Sequence, residues 1–159
     1  MMENMLMTFI ANRKVTYDIL NALTDEELIE QWDRPGLDTF SKHFQEMAAV
    51  TNAYTEALKS GNMDFSMVPD VFEFQNVSNK DELVKLLQDS DSKLENIIKQ
   101  NKYKKEVFWF DMTIPAEIHF TNIISHEIFH QGMMTMFMYQ AHIHMPDSLT
   151  ENWSLPTVE

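Results

Sequence analysis

Chain breakers are scarce in this sequence, with three glycines and five prolines among 159 residues. Sheet-rich folds turn often, and Gly and Pro supply many of those turns. Long stretches free of both leave helices as the elements able to carry the chain. The length suits a single domain over residues 1–159 and is short for two.

Apolar spacing marks four long helices. The first covers residues 4–22, with Leu6, Phe9, Ile10, Tyr17 and Leu20 along one stripe. Thr24-Asp25-Glu26-Glu27 resembles a capping box opening a short helix to about Gln31, and Arg34-Pro35-Gly36 reads as a turn. The second long helix begins at Thr39 or Ser41 and stops at Gly61, a suitable residue just past a helix end. Its stripe is Phe40, His43, Phe44, Met47, Thr51, Tyr54 and Leu58. Residues 62–77 lack helical period and form a long connection. Ser78 or Asn79 caps a third helix reaching Asn101, with Leu83, Leu86, Leu87, Leu94, Ile97 and Ile98 on one side. Residues 102–113 read as a second loop, in which Val107-Phe108-Trp109-Phe110 is too apolar to sit in water. Pro115 fits the first position of a fourth helix running to about Ala141. The fold class is all-α: a four-helix bundle with long interhelical loops free to build a pocket at one end.

Charge excludes some partners. Lys and Arg total 12 against 25 Asp and Glu, a formal charge of −13 with no basic run, so neither nucleic acid nor an anionic membrane has an electrostatic footprint to bind. No apolar run approaches the ~18 residues of a membrane span. Residues 1–14 do not read as a secretion signal, so a cytoplasmic protein is expected. With no Cys there is no disulfide, no thiolate ligand and no cysteine nucleophile.

The chemistry concentrates in His126-Glu127-Ile128-Phe129-His130. Two imidazoles four residues apart on a helix share a face, with Cβ atoms ~5–6 Å apart, close enough to hold one ion. A single His on an apolar stripe is usually a satisfied core residue. Two at this spacing, with His43 on the stripe of another helix, suit a site assembled in a bundle core. His119 lies seven residues before His126, ~10 Å away along the helix, and reads as a pocket-lining or edge residue. His142 and His144 read as surface residues. The thirteen Met are adaptable core filling rather than a copper site. Gly132, inside a helix, costs ~1 kcal/mol relative to Ala and makes sense where a neighbouring helix or ligand approaches closely.

His43 in the second helix, followed by His126-Glu127-Ile128-Phe129-His130-Gln131-Gly132 in the fourth, resembles the DinB-like metal-binding four-helix bundles, in element order, loop length and overall length. The resemblance covers essentially the whole chain. It implies that His43, His126 and His130 bind one divalent ion, zinc or nickel. Characterised relatives include transferases joining low-molecular-weight thiols to electrophiles and a thiol-dependent isomerase, while many members have no known activity.

Three functions compete. The first is a metal-dependent transferase using a small thiol cofactor on a small-molecule substrate. Three protein ligands leave an open position, where a coordinated thiol becomes a thiolate. The same position could hold hydroxide, giving a related hydrolase. The second is a non-enzymatic metal- or ligand-binding helical module, with a homodimer left open. The third, ranked last, is a zinc peptidase of the HExxH type with Glu127 as general base. The longer pattern HExxHxxGxxH fails, because Met133 stands at its Gly position. Glu127 is also turned ~100° from His126 around the helix, and reads as a solvated or supporting carboxylate rather than a base.

Overall fold

The computed structural model describes residues 1–156. Its elements are α1 (Met2–Ala22), α2 (Asp25–Ile29), α3 (Phe40–Ser60), α4 (Lys80–Lys99), β1 (Glu106–Trp109), β2 (Met112–Pro115), α5 (Ala116–Gln140) and α6 (Asp147–Trp153). A 3-10 turn, Phe65–Met67, interrupts the α3–α4 connection. The chain is mostly helical, and four long helices carry it. Helix α3 packs against α4 and α5, and α1 packs against α5 and α4, so each long helix touches two others.

Local sequence explains where these helices start and stop. The Thr24 side chain accepts a hydrogen bond from the Glu27 amide, and the Glu27 carboxylate accepts one from the Thr24 amide, the reciprocal box expected. Thr39 caps α3 by accepting from the Lys42 amide, and Asn79 caps α4 by accepting from the Asp81 amide. Gly61 ends α3 at φ +85°, where a Cβ would also press on the Lys104 side chain at 3.3 Å. That left-handed position with a neighbour so close is open to Gly at least cost.

The apolar stripes meet in two clusters. One joins Ile19, Leu20, Phe40, Phe44, Met47, Leu83, Leu87, Met134 and Met138; the other joins Leu6, Phe9, Ala57, Leu58, Leu94, Ile98, Phe120 and Ile123. Met134 and Met138 are fully buried, in keeping with methionine as core filling. Phe40, Phe44 and Met47 are buried as their spacing predicts; on α5 Ile123 is buried, whereas Met133 and Phe137 are half-buried. Phe137 instead stacks flat on Trp32, ring centroids 3.4 Å apart.

The expected loop over 102–113 is a correction. It contains an antiparallel hairpin pairing Glu106–Trp109 with Met112–Pro115. The structural reason is alternation: in a strand successive side chains face opposite sides. Val107 is buried and Trp109 half-buried, while Phe108 and Phe110 face solvent, so the expectation that all four leave water fails for those two. The hairpin is tied to the end of α3, with the Met63 amide donating to the Phe108 carbonyl and the Phe108 amide donating to the Gly61 carbonyl, both at 2.9 Å. Pro115 closes β2 and caps α5 rather than occupying its first turn. Among the described residues no helix is long and apolar enough to cross a membrane.

Candidate metal centre

Helices α3 and α5 pack along the faces that carry His43 and His126/His130. Three donor atoms converge there: a carboxylate oxygen of Glu46 and one imidazole nitrogen each from His126 and His130, all within 4.8 Å of one another. Glu46 Oε2 lies 2.7 Å from His130 Nε2 and 3.0 Å from His126 Nε2, and the two Nε2 atoms are 3.1 Å apart. His130 is buried, while His126 and Glu46 are partly exposed, so the group opens towards solvent on the His126 side.

Glu46 is the residue that sequence reasoning missed. It sits one turn after His43, at the i+3 position, so its side chain shares that face of α3. A signal existed: bundle metal sites pair Glu and His three residues apart on one helix, and His43-Phe44-Gln45-Glu46 has that spacing in reverse order.

His43 is fully buried and lies on the other side of the His130 ring. Its Nδ1 is 2.7 Å from His130 Nδ1, and the rings meet edge to face with centroids 5.0 Å apart. The structure therefore brings His43 to His130, as the sequence predicts, but against the nitrogen opposite the one facing Glu46 and His126. Trp32 covers His43, ring centroids 5.3 Å apart. Burial, with His130 and Arg34 nearby, takes the His43 imidazole down to about 3. It is therefore neutral at physiological pH.

The donor set fits a small divalent cation. Ligands ~2.05 Å from an ion lie ~2.9 Å apart across an octahedral edge and ~3.3 Å apart across a tetrahedral one. The three observed separations fall around the octahedral value. Two imidazoles and one carboxylate also form a recognised set for transition metals with open positions. Glu46 Oε2 is buried at the convergence point, 2.7 Å from His130 Nε2 and 3.0 Å from His126 Nε2. Burial pushes the Glu46 carboxyl up, but hydrogen bonding and charge from His126 and His130 outweigh it and take the group down to about 2. Burial holds His130 below the ordinary imidazole value, which keeps a lone pair available.

Glu127 takes no part in this group. Its Oε2 lies 3.2 Å from Arg13 Nη1, and its Oε1 accepts a hydrogen bond from the Thr16 hydroxyl, both partners on α1. Gln131 donates to Thr16 Oγ1 at 3.0 Å, and Arg13 also meets Asp91 at 3.0 Å and donates to Thr51 Oγ1 at 2.8 Å. Arg13 is 2% exposed and Glu127 1% exposed. Glu127 is neither solvated nor free to act as a base; it is the counter-charge of a buried arginine. Burial pushes its carboxyl above the usual range, with Arg13 and Thr16 pulling it back.

His119 is buried, its Nε2 3.0 Å from the Tyr54 carbonyl oxygen, and it stands in an aromatic group with Tyr54 and Trp109 at centroid distances of 5.1 and 5.2 Å. Tyr54 continues to His126 at 6.5 Å, so this wall flanks the open side of the centre. His142 and His144 are exposed, as expected.

Comparison with known proteins gives a fold relation. No family profile matches the chain, and no curated protein matches it. Among solved structures it is similar to the crystal structure of a DinB-like protein from Bacillus cereus ATCC 10987, with 21% identity, a TM-score of 0.65, and coverage of 91% of this chain and 95% of that one. The chain has the fold of that DinB-like protein.

Proposed function

We propose that this chain, built on the DinB-like fold, holds one divalent cation, zinc or nickel, with Glu46, His126 and His130 at the interface of its helical bundle, and activates a small thiol there for transfer to an electrophile. The convergence of those three donors from two helices is the observation that carries the reading. The packing of α1, α3, α4 and α5 supports the four-helix-bundle description.

In this reading the residues divide their work. His126 and Glu46 form the solvent-facing edge, where a ligand can reach the open positions. His130 offers its Nε2 lone pair, so its proton sits on Nδ1 and is donated to His43 Nδ1. His43 then carries its own proton on Nε2, a buried atom on the side of the ring away from His130. His43 is thus a positioning residue that fixes the tautomer and ring orientation of His130, a role metal sites commonly assign to a neighbour of the ligand. The family resemblance alone makes His43 the third ligand; the placement of Glu46 favours the carboxylate. A cation bound here would lower the pKa of a coordinated thiol or water enough to supply thiolate or hydroxide at neutral pH. Tyr54, Trp109 and His119 offer an apolar, stacking wall beside it.

One observation favours the non-enzymatic module instead. Cavities of about 490, 410 and 480 Å³ lie along α1 and α4, along α5 and α6, and beside Trp32, and Glu46, His126 and His130 line none of them. Cobalt substitution separates the readings. Adding 2-mercaptoethanol to the cobalt-loaded protein should produce a sulfur-to-cobalt charge-transfer band if the open position takes thiols. A spectrum unchanged by thiol would leave a metal-binding module and remove the transferase. Glu46→Ala should abolish stoichiometric metal while His43→Phe retains it with ~10–100-fold weaker affinity, the usual cost of losing a supporting partner. The reverse order would make His43 the ligand.

A further inference from the structure

Residues 30–39, between α2 and α3, form a strap on the His43 side of the metal centre. The Trp32 amide donates to the Asp38 carbonyl at 2.7 Å, and the Arg34 and Asp38 amides close tighter turns onto the Trp32 and Gly36 carbonyls, each at 2.8 Å. Trp32 fastens the strap to the bundle: its ring lies flat on Phe137, edge to face with Phe40 at 4.6 Å, and beside His43. Arg34 stands on this strap, and its Nη1 meets Met133 Sδ at 3.4 Å. Met133 follows His130 by three residues on the same face of α5, a rise of ~4.5 Å. Helical side chains lean towards the N-terminus, so the Met133 thioether and the guanidinium against it lie back towards His130.

The charge of Arg34 is left without a counter-charge. The chain holds 25 acidic side chains against 12 basic ones, yet among the described residues no carboxylate pairs with Arg34. Asp38, on the same strap, is taken by Lys42 at 2.7 Å. A thioether is a weak acceptor, whereas a guanidinium carries five N–H donors in a fork shaped for a carboxylate. Arg34 is half-buried, and its field reaches the centre. Burial is the first cause that depresses the His43 and His130 imidazoles, and the Arg34 charge pushes both further the same way. A cation beside a site for a divalent ion opposes that ion unless an anion joins the two.

We infer that Arg34 is a specificity-determining residue of the metal centre, receiving the carboxylate of a small thiol acid whose sulfur takes the open position on the ion. The inference rests on the thiol-binding reading proposed above. Charge selects the ligand class. A divalent ion and Arg34 bring three positive charges, Glu46 removes one, and coordinating imidazoles are neutral. Two positive charges remain. A thiol that coordinates as thiolate gives its proton to solvent and removes one of them, and a carboxylate on the same molecule removes the other. An uncharged thiol leaves Arg34 unanswered. The strap holds the guanidinium in place before any ligand arrives, which lowers the ordering cost of binding.

Titrating the cobalt-loaded chain with 3-mercaptopropionate and with its uncharged isostere 3-mercaptopropionamide tests the inference. The sulfur-to-cobalt band is the readout, and cobalt content is checked after each titration. The parent should bind the acid ~10–100-fold more tightly than the amide, the range that a hydrogen bond to a charged group contributes. Arg34→Gln should remove that preference while leaving affinity for the amide, cobalt content and circular dichroism unchanged, and Arg34→Lys should keep part of it. Equal affinities in the parent, or a preference for the acid that survives Arg34→Gln, would overturn the assignment of Arg34 and leave the thiol reading standing. No band with either thiol would remove the thiol reading itself, and this inference with it.

Discussion

Replacing Glu127 by Ala separates a buried structural carboxylate from a catalytic one. In the folded chain Glu127 faces Arg13 at 3.2 Å and accepts from the Thr16 hydroxyl, with Arg13 and Glu127 almost wholly excluded from water. Removing it leaves Arg13 buried with Asp91 as its remaining carboxylate partner, 3.0 Å from Nε, and leaves Thr16 Oγ1 without its acceptor. Breaking a buried ion pair from one side costs ~3–5 kcal/mol, and the surviving Asp91 contact puts this case near the lower figure. For a domain of this size each kcal/mol moves the melting temperature by ~2–4 °C, so Glu127→Ala should melt ~6–12 °C below the parent. Thermal unfolding followed by circular dichroism reads that shift, and elemental analysis of the same samples should find metal content unchanged. A melting point within ~2 °C of the parent would refute the buried-pair account, since that is under 1 kcal/mol. Loss of metal with preserved stability would return Glu127 to the centre.

Other perturbations have signs fixed by the structure. Phe44→Ala should cost ~3–5 kcal/mol by urea titration, while Phe137→Ala, half-buried and stacked on Trp32, should cost clearly less; equal losses would contradict the packing described. Burial depresses the His119 imidazole in the folded state, so its contribution is complete above the unfolded value of ~6.5 and is lost as pH falls below it. Chelator-treated protein should therefore lose stability on acidification from pH ~6.5, and His119→Gln should flatten that slope; an identical slope in the variant would remove His119 from the cause. Gly61→Ala should destabilise by ~1 kcal/mol or more, because φ +85° disfavours any side chain and Lys104 stands against it. A neutral result would mean the α3 terminus can rearrange.

The long helices were legible in the sequence because their determinants are local. Thr24, Thr39, Asn79 and Gly61 act within a turn of where they stand, and apolar residues at helical spacing reveal which face turns inward. The hairpin was not legible. Val107 to Phe110 is a short apolar run whose period cannot be judged, and its pairing with Met112 to Pro115 depends on docking against the end of α3. The histidines were found because two of them share one helix and a third lies on the stripe of another. Glu46 was missed because a carboxylate on a helix ordinarily faces solvent, and only the approach of α5 turns it into a neighbour of His126 and His130. Arg13 escaped for the converse reason: among polar residues of α1 nothing local marks it as buried, and its partners Asp91 and Glu127 come from α4 and α5.

In the proposed site α3 and α5 together hold one divalent ion through Glu46, His126 and His130. Elemental analysis of protein purified without added metal or metal-affinity chromatography, followed by zinc titration against a competing chelator, tests it most directly. The parent should hold one ion per chain, and both His126→Ala and His130→Ala should lose stoichiometric binding with the fold retained. A parent that competes for zinc no better than the His126→Ala variant would contradict it.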